Sequence, residues 1–97
     1  MITKIDIEVC SKDLDDKIDN RYRLYLNNDI LIERKWKLDP WFYIDEEIWV
    51  DLDIGTHTLK LEHCHPTSHP FYFRNPRISY TAYNILESND YSLIFNS

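Results

Sequence analysis

The stretch that decides the fold is RYRLYLNNDILIERKWKL, residues 21–38, in which two alternating segments flank a polar turn. The apolar positions are Tyr22, Leu24 and Leu26 before the turn, then Ile30, Ile32, Trp36 and Leu38 after it. Alternation of period two is typical of a half-buried strand, so this stretch predicts a β-hairpin. Arg34 falls on the apolar face, and we expect it to lie near a sheet end or to have a partner.

Matching of the two faces favours one turn length over another. A two-residue loop at Asn28-Asp29 would place charged side chains opposite the apolar face, with Glu33 opposite Leu24. A three-residue loop over residues 27–29 makes both faces agree, through the pairs Leu26–Ile30, Leu24–Ile32 and Arg23–Glu33. Because a slip of one residue inverts every side chain, we predict the three-residue loop, with Asn or Asp taking the left-handed position in place of Gly.

Composition bounds the class of protein. The 97 residues are 43% hydrophobic and 14% aromatic, which predicts one folded domain spanning residues 1–97. The net charge of −6 argues against binding nucleic acid through its phosphates. The longest apolar run has four residues, too short for a membrane span. Two cysteines make no disulfide framework and fit a reducing cytosol, although a Cys10–Cys64 bridge stays open.

Short alternating segments recur along the rest of the chain. They lie in residues 2–10, 41–44, 48–54, 58–64, 71–73, 77–86 and 91–95. We read residues 45–47 as a polar connection, Gly55-Thr56-His57 as the turn of a tight hairpin, and Pro76 as an interruption. With the central hairpin, this pattern predicts an all-β antiparallel β-sandwich of seven or eight short strands, either jelly-roll or immunoglobulin-like.

Three histidines raise the question of a metal site. His63 and His65 would share one face of a strand, and His69 would fold back as a third ligand, which is the pattern of a catalytic zinc site. Pro66 and Pro70 flank a loop here, and no obvious carboxylate base accompanies the histidines. We therefore favour a plain loop, and we expect no metal, no cofactor and no catalytic residue. No nucleophile, Walker or dinucleotide motif is present, so the chain is expected not to be an enzyme.

Several aromatic residues are expected to reach the surface: Trp41, Tyr43, Trp49, Tyr72 and Tyr25. Trp49 is the best candidate, because it alternates with Ile48 and Val50 and lies close to Asp51. Aromatic residues are enriched at protein interfaces, and exposed rings also stack on sugars. We therefore predict a protein interface or ligand contact formed by Trp41, Tyr43, Trp49, Asp51 and Tyr72.

Three segments carry a resemblance to known proteins: YRLYLNNDILIERKW at residues 22–36, Gly55-Thr56-His57-Thr58-Leu59, and Phe73-Arg74-Asn75. They resemble short β-sandwich proteins encoded by tailed phages, especially those of marine and cyanobacterial hosts. The resemblance extends over about two thirds of the chain. It implies a phage origin and a virion protein, and it carries over no catalytic residue.

These observations lead to three functional hypotheses. The first is a non-enzymatic viral structural protein that decorates or cements a phage capsid, or is an accessory protein of the tail. It would act through contacts with a capsid or tail protein, and a homo-oligomer is possible. The second is a carbohydrate-binding module that contacts a glycan through Trp49, Trp41 and Asp51. In both cases we expect no nucleic-acid or membrane partner. With no signal peptide evident, the expected locations are the virion and the host cytoplasm.

The third hypothesis uses the acidic side chains. An acidic anti-defence protein would block a basic host surface through residues such as Asp13, Asp15, Asp16 and Glu46. Exposed charges of this kind are screened by salt, so such binding would weaken as the ionic strength rises.

Overall fold

Two antiparallel sheets form a β-sandwich in the computed structural model, which describes residues 2–80 and 83–96. The strands are β1 Ile2–Ser11, β2 Arg21–Leu26, β3 Asp29–Lys35, β4 Tyr43–Asp51, β5 Thr56–His63, β6 Phe71–Ser79, β7 Asn84–Ser88 and β8 Ser92–Asn96. One sheet has the order β4-β1-β6 and the other the order β3-β2-β5-β8-β7. The predicted all-β sandwich is therefore confirmed, and the strand order that the sequence left open is fixed.

The core lies between the sheets and is built from alternate residues of the central strands. In β1, Ile5, Ile7 and Val9 are fully buried, as their alternation predicted. The other sheet contributes Tyr22, Leu24, Leu59, Leu93 and Phe95, which are also fully buried. Each of these side chains stabilises the fold by roughly 1.5–3 kcal/mol through removal of apolar surface from water. In the described ranges, no helix is long and apolar enough to cross a membrane.

The central hairpin forms, but its turn is one residue shorter than predicted, and Ile30, expected on the apolar face, pairs with the outward Tyr25 and is 55% exposed. Leu24 pairs with Ile32 as expected, whereas Leu26 pairs with Asp29, which leaves a two-residue loop. Asn27 and Asn28 have φ values of 51° and 72°, as a two-residue type I′ turn requires. The three-residue loop was therefore wrong: Leu31 is an extra, bulged residue that restores the matching of faces beyond it.

Three other boundaries differ from the sequence predictions. Residues 45–47 are part of β4, since pairing with the central strand β1 extends the ladder through them. β4 then ends at Asp51, which leaves Ile54, expected inside, 81% exposed. β6 runs through Pro76 by means of a bulge and ends at Ser79. The predicted strand over residues 77–86 is therefore two strands in different sheets. Residues 81 and 82 of that prediction lie outside the described residues.

The link around Gly55 joins the two sheets and is not the turn of a hairpin. β4 belongs to the three-stranded sheet and β5 to the five-stranded one, so the predicted tight hairpin was wrong. His57 was expected in the turn, but it lies in β5 and is buried, and its ring connects two loops. Its Nε2–H donates to the Asp53 carbonyl at 2.8 Å, and its Nδ1 accepts from Asn27 Nδ2 at 2.8 Å. Asn27 Oδ1 also accepts from the Thr58 amide at 3.0 Å.

An ion pair with a buried carboxylate connects the sheets near one edge. The Arg34 guanidinium on β3 lies 2.7 Å from a carboxylate oxygen of Glu46 on β4. The Glu46 side chain is 3% exposed, whereas that of Arg34 is 40% exposed. Arg34 therefore has the partner that its position on the apolar face required. Tyr22 lies in the same buried region, and desolvation, followed by the nearby Glu46 charge, raises its pKa.

We expect Arg34→Leu to lower the free energy of unfolding by about 2–4 kcal/mol, because it leaves the buried Glu46 carboxylate without its cation. The double variant Arg34→Leu/Glu46→Leu should recover much of this loss, since no lone charge then remains buried. Urea denaturation of the three proteins measures both effects. A loss below about 0.5 kcal/mol for Arg34→Leu, as for a surface pair, would contradict this role.

A second prediction concerns Asn27. Replacement by Ala should cost about 2–3 kcal/mol, because a Cβ-bearing residue without a polar side chain is strained at positive φ and the bonds to His57 and Thr58 are lost. Asn27→Gly loses the same hydrogen bonds but keeps the backbone freedom, so we expect a cost of about 1 kcal/mol. Equal costs for the two variants, measured by thermal denaturation, would show that the turn does not need this conformation.

Candidate functional site

The outer face of the three-stranded sheet carries most of the residues predicted as an interface. Tyr43, Trp49 and Asp51 lie on the edge strand β4, and Tyr72 lies on the other edge strand, β6. Their positions alternate with the core positions along the strands, so these side chains point away from the core. Trp41 lies two residues before β4. The predicted residues thus share one side of the molecule, but they do not form one cluster.

Paired charges occupy the middle of this face. Glu8 on β1 lies 2.7 Å from the Arg74 guanidinium and accepts a hydrogen bond of 2.9 Å from Asn75 Nδ2. Arg77 contacts Asp45 across the sheet at 2.7 Å. The hydrogen bond from Asn75, followed by that from Arg74, lowers the pKa of Glu8.

One end of the face carries a group of exposed aromatic side chains, which we call the aromatic corner: Trp41, Phe42 and Tyr43. They are 71%, 55% and 51% exposed. Trp41 has a φ of 71°, and its amide donates to the Ser11 carbonyl at 3.1 Å. The Ser11 amide in turn donates to the Phe42 carbonyl at 3.1 Å. The end of β1 therefore holds the corner in an outward conformation that is strained for a bulky residue.

Trp49 lies at the opposite end of the same face. Its indole N–H donates to Glu47 at 2.7 Å, and its ring is 5.1 Å from that of Tyr80 and 5.5 Å from the Lys4 ammonium. Six residues of strand separate it from Tyr43, which corresponds to about 20 Å. Trp41 and Trp49 therefore belong to separate surfaces, and a small ligand would not contact both.

The three histidines do not come together as a metal site requires. β5 ends at His63, so His65 lies in the following loop, where its Nδ1 accepts from the Thr67 amide at 3.3 Å. His63 and His69 do approach, with ring centres 4.9 Å apart. In residues 2–80 and 83–96, no group of three or more His, Cys, Asp or Glu side chains could hold a metal ion.

His63 packs against the start of β6. Its Nε2 lies 3.0 Å from the Phe71 amide nitrogen and 2.9 Å from the Phe71 carbonyl oxygen. With the ring proton on Nδ1, Nε2 accepts from the Phe71 amide. With the proton on Nε2, it donates to the Phe71 carbonyl. Its ring stacks on that of Phe71 and meets that of Tyr91 edge-on, with centres 5.7 Å and 5.4 Å apart. Burial lowers the pKa of His63, which favours the neutral ring.

The acidic residues of the third hypothesis have different environments. Glu46 is buried between the sheets, so its predicted place on an acidic binding surface was wrong. Asp15 is exposed, and its carboxylate accepts from the Lys17 amide at 2.9 Å, which stabilises a turn. Asp13 and Asp16 are exposed in the same loop.

A groove that the sequence did not predict lies along β5, and we call it the β5 groove. It has a volume of about 650 Å³ and is open to solvent. It is lined by Tyr25, Asn28, Lys60, Leu61, Glu62, His63, His69 and Tyr91. Tyr25 and Lys60 are direct cross-strand partners, and the Tyr25 hydroxyl is 3.4 Å from Glu62 Oε1. The alternation of β2 and β5 placed these side chains outward, but the groove depends on a pairing between distant strands.

Comparison with protein-family models, curated proteins and solved structures finds no match for this chain. Its function is therefore inferred from the surfaces described above.

The charged centre of the three-stranded sheet predicts a pH dependence. Because the pKa of Glu8 is lower in the folded state, its contribution to stability is present above its unfolded pKa, about 4.3, and is lost as the pH falls through the folded value. Glu8→Gln should thus be less stable than the parent near neutral pH, and the difference should shrink below about pH 4.

Urea titrations at several pH values measure this difference. Arg74→Gln serves as the matched variant, because it removes the partner and should reproduce the same trend. A difference in the free energy of unfolding between Glu8→Gln and the parent that stays constant across the acid range would contradict the lowered pKa of Glu8.

Proposed function

We propose that this chain is a non-enzymatic protein-binding module that attaches to its partner through the aromatic corner. The observation that carries the proposal is that Trp41, Phe42 and Tyr43 are consecutive and each more than half exposed. Contiguous exposed apolar surface of this kind marks interaction sites in soluble proteins. Trp and Tyr are also the side chains that most often dominate binding energy at protein interfaces.

The backbone conformation of Trp41 supports a binding role. A bulky residue at positive φ costs of order 1–3 kcal/mol, and such strain is concentrated at functional positions. Here the hydrogen bonds with Ser11 hold the chain in that conformation. Because the ring is presented before a partner arrives, less conformational entropy is lost on binding.

The charge of the surrounding face indicates the chemistry of the partner. On the outer face of the three-stranded sheet, five carboxylates accompany four cations: Asp6, Glu8, Asp45, Glu47 and Asp51 against Lys4, Arg74, Arg77 and Lys12, whose ammonium lies 5.8 Å from the Tyr72 ring. The whole chain carries a net charge of −6. A partner with an apolar pocket for Trp41 and a basic rim fits this surface, since complementary potentials increase the rate of association.

We further propose that the partner is a capsid or tail protein of a phage particle, so that the chain is a decoration, cement or tail accessory protein of the virion. The resemblance of the β2–β3 hairpin to small phage-encoded sandwiches supports this part of the proposal. The binding surface itself is argued from Trp41, Phe42 and Tyr43, independently of that resemblance.

The test of this part is attachment to particles of the phage that the proposal requires as the source of the chain. Mass spectrometry of purified virions should detect the protein, and particles made without it should bind it when it is added back. Trp41→Ser should weaken that binding at least about thirtyfold, as expected of a hot-spot residue. Ile54→Ser is the matched control, because Ile54 is equally apolar and exposed but lies outside the corner.

Two outcomes would contradict the proposal. Absence of the protein from virions would remove the virion role. Equal binding of Trp41→Ser and the parent would remove the aromatic corner as the attachment surface, even if particles bind the protein.

A further inference from the structure

The β5 groove has the size and shape of a ligand site. Its volume of about 650 Å³ lies within the range of roughly 300–1,000 Å³ that is usual for small-molecule sites. It extends from Asn28, beside the start of β5, to His69, beyond its end. The strand between Thr58 and His63 spans about 17 Å, so the groove suits an elongated molecule.

The main chain beneath the groove is already paired. β5 is hydrogen-bonded to β2 on one side and to β8 on the other, so it offers no free edge to an added strand. A ligand must therefore be recognised by side chains. This condition disfavours an extended peptide, whose own amides would find no backbone partners here.

The charges that line the groove balance each other. Lys60 and Glu62 alternate along β5 and both face outward, and Glu62 is also held by Arg23 at 3.1 Å. His63 is kept neutral by burial, which lowers its pKa. An anion or a cation would therefore gain little, whereas a neutral molecule rich in hydroxyl groups finds both donors and acceptors.

Aromatic rings supply the apolar part of the lining. Tyr25 lies on β2, and Tyr91 follows the turn after β7, with its carbonyl accepting from the Leu61 amide at 2.8 Å. They therefore flank β5 on its two sides, at a separation of about two strand spacings, or 10 Å. A sugar ring has an apolar C–H face that packs on such rings and hydroxyls at its rim that reach Lys60 and Glu62.

We propose that the β5 groove binds a neutral, linear oligosaccharide. Tyr25 and Tyr91 stack on the sugar rings, and Lys60, Glu62 and His69 hydrogen-bond the hydroxyls. This site is on the five-stranded sheet and shares no residue with the aromatic corner. It also differs from a sugar site at Trp41, Trp49 and Asp51, which the separation of the two tryptophans disfavours.

The experiment is NMR titration of the full-length ¹⁵N-labelled protein with cellohexaose, maltohexaose, xylohexaose, mannohexaose and chitohexaose. At least one should bind with a Kd of about 1 mM or lower and shift the amides of Lys60, Glu62 and Tyr91. The indole signals of Trp41 and Trp49 should not move. If none of the five shifts the groove amides, the proposal is overturned.

Matched variants separate stacking from folding. Tyr25→Ala should weaken binding about tenfold or more, whereas Tyr25→Phe keeps the ring and should bind within about threefold of the parent. Trp41→Ser should bind the sugar as the parent does, which separates this site from the proposed protein interface. Tighter binding of a hexamer of galacturonic acid than of every neutral sugar would overturn the inference that the ligand is neutral.

Discussion

The ion pair between Arg34 and Glu46 limits how the two sheets can lie against each other. The carboxylate projects from the three-stranded sheet into the core, and the guanidinium that neutralises it comes from the opposite sheet, 2.7 Å away. Arrangements that separate the two would leave a charge buried without a partner, at a cost of several kcal/mol. Burial of apolar side chains drives the sheets together without fixing their direction. The ion pair disfavours arrangements that move β3 away from β4 in this region.

The two sheets present different chemistry to solvent. The three-stranded sheet has ion pairs such as Glu8–Arg74 at its centre and displays aromatic rings at its ends, where strand pairing gives way to loops. The five-stranded sheet is wider, and its central strand β5 lies at the base of a groove between flanking tyrosines. The first arrangement suits a flat macromolecular contact, and the second suits an elongated small ligand. One small sandwich therefore has room for two kinds of recognition.

The alternation of apolar residues predicted what depends on neighbours in sequence. Tyr22, Leu24 and Leu26 are buried as expected, and Trp41, Tyr43 and Trp49 are exposed as expected. Features that depend on strand ends or distant pairing were not predictable in this way. Periodicity does not reveal the bulge at Leu31 that makes a two-residue turn compatible with both faces. Likewise, the three histidines do not share a strand face because β5 ends at His63. The β5 groove depends on the pairing of β5 with β2.

The place of β1 in the topology has a consequence for how the chain folds during synthesis. This strand, the most deeply buried of the three-stranded sheet, pairs with β4 and with β6, whose residues Phe71–Ser79 come near the end of the chain. It is synthesised before the other described strands, whereas β6 is complete only after more than sixty further residues. At typical elongation rates of about 5–20 residues per second, Ile5, Ile7 and Val9 stay without their full sheet for several seconds. The β2–β3 hairpin closes locally within microseconds. The nascent protein thus passes through a stage in which the apolar side chains of β1 need protection from other chains.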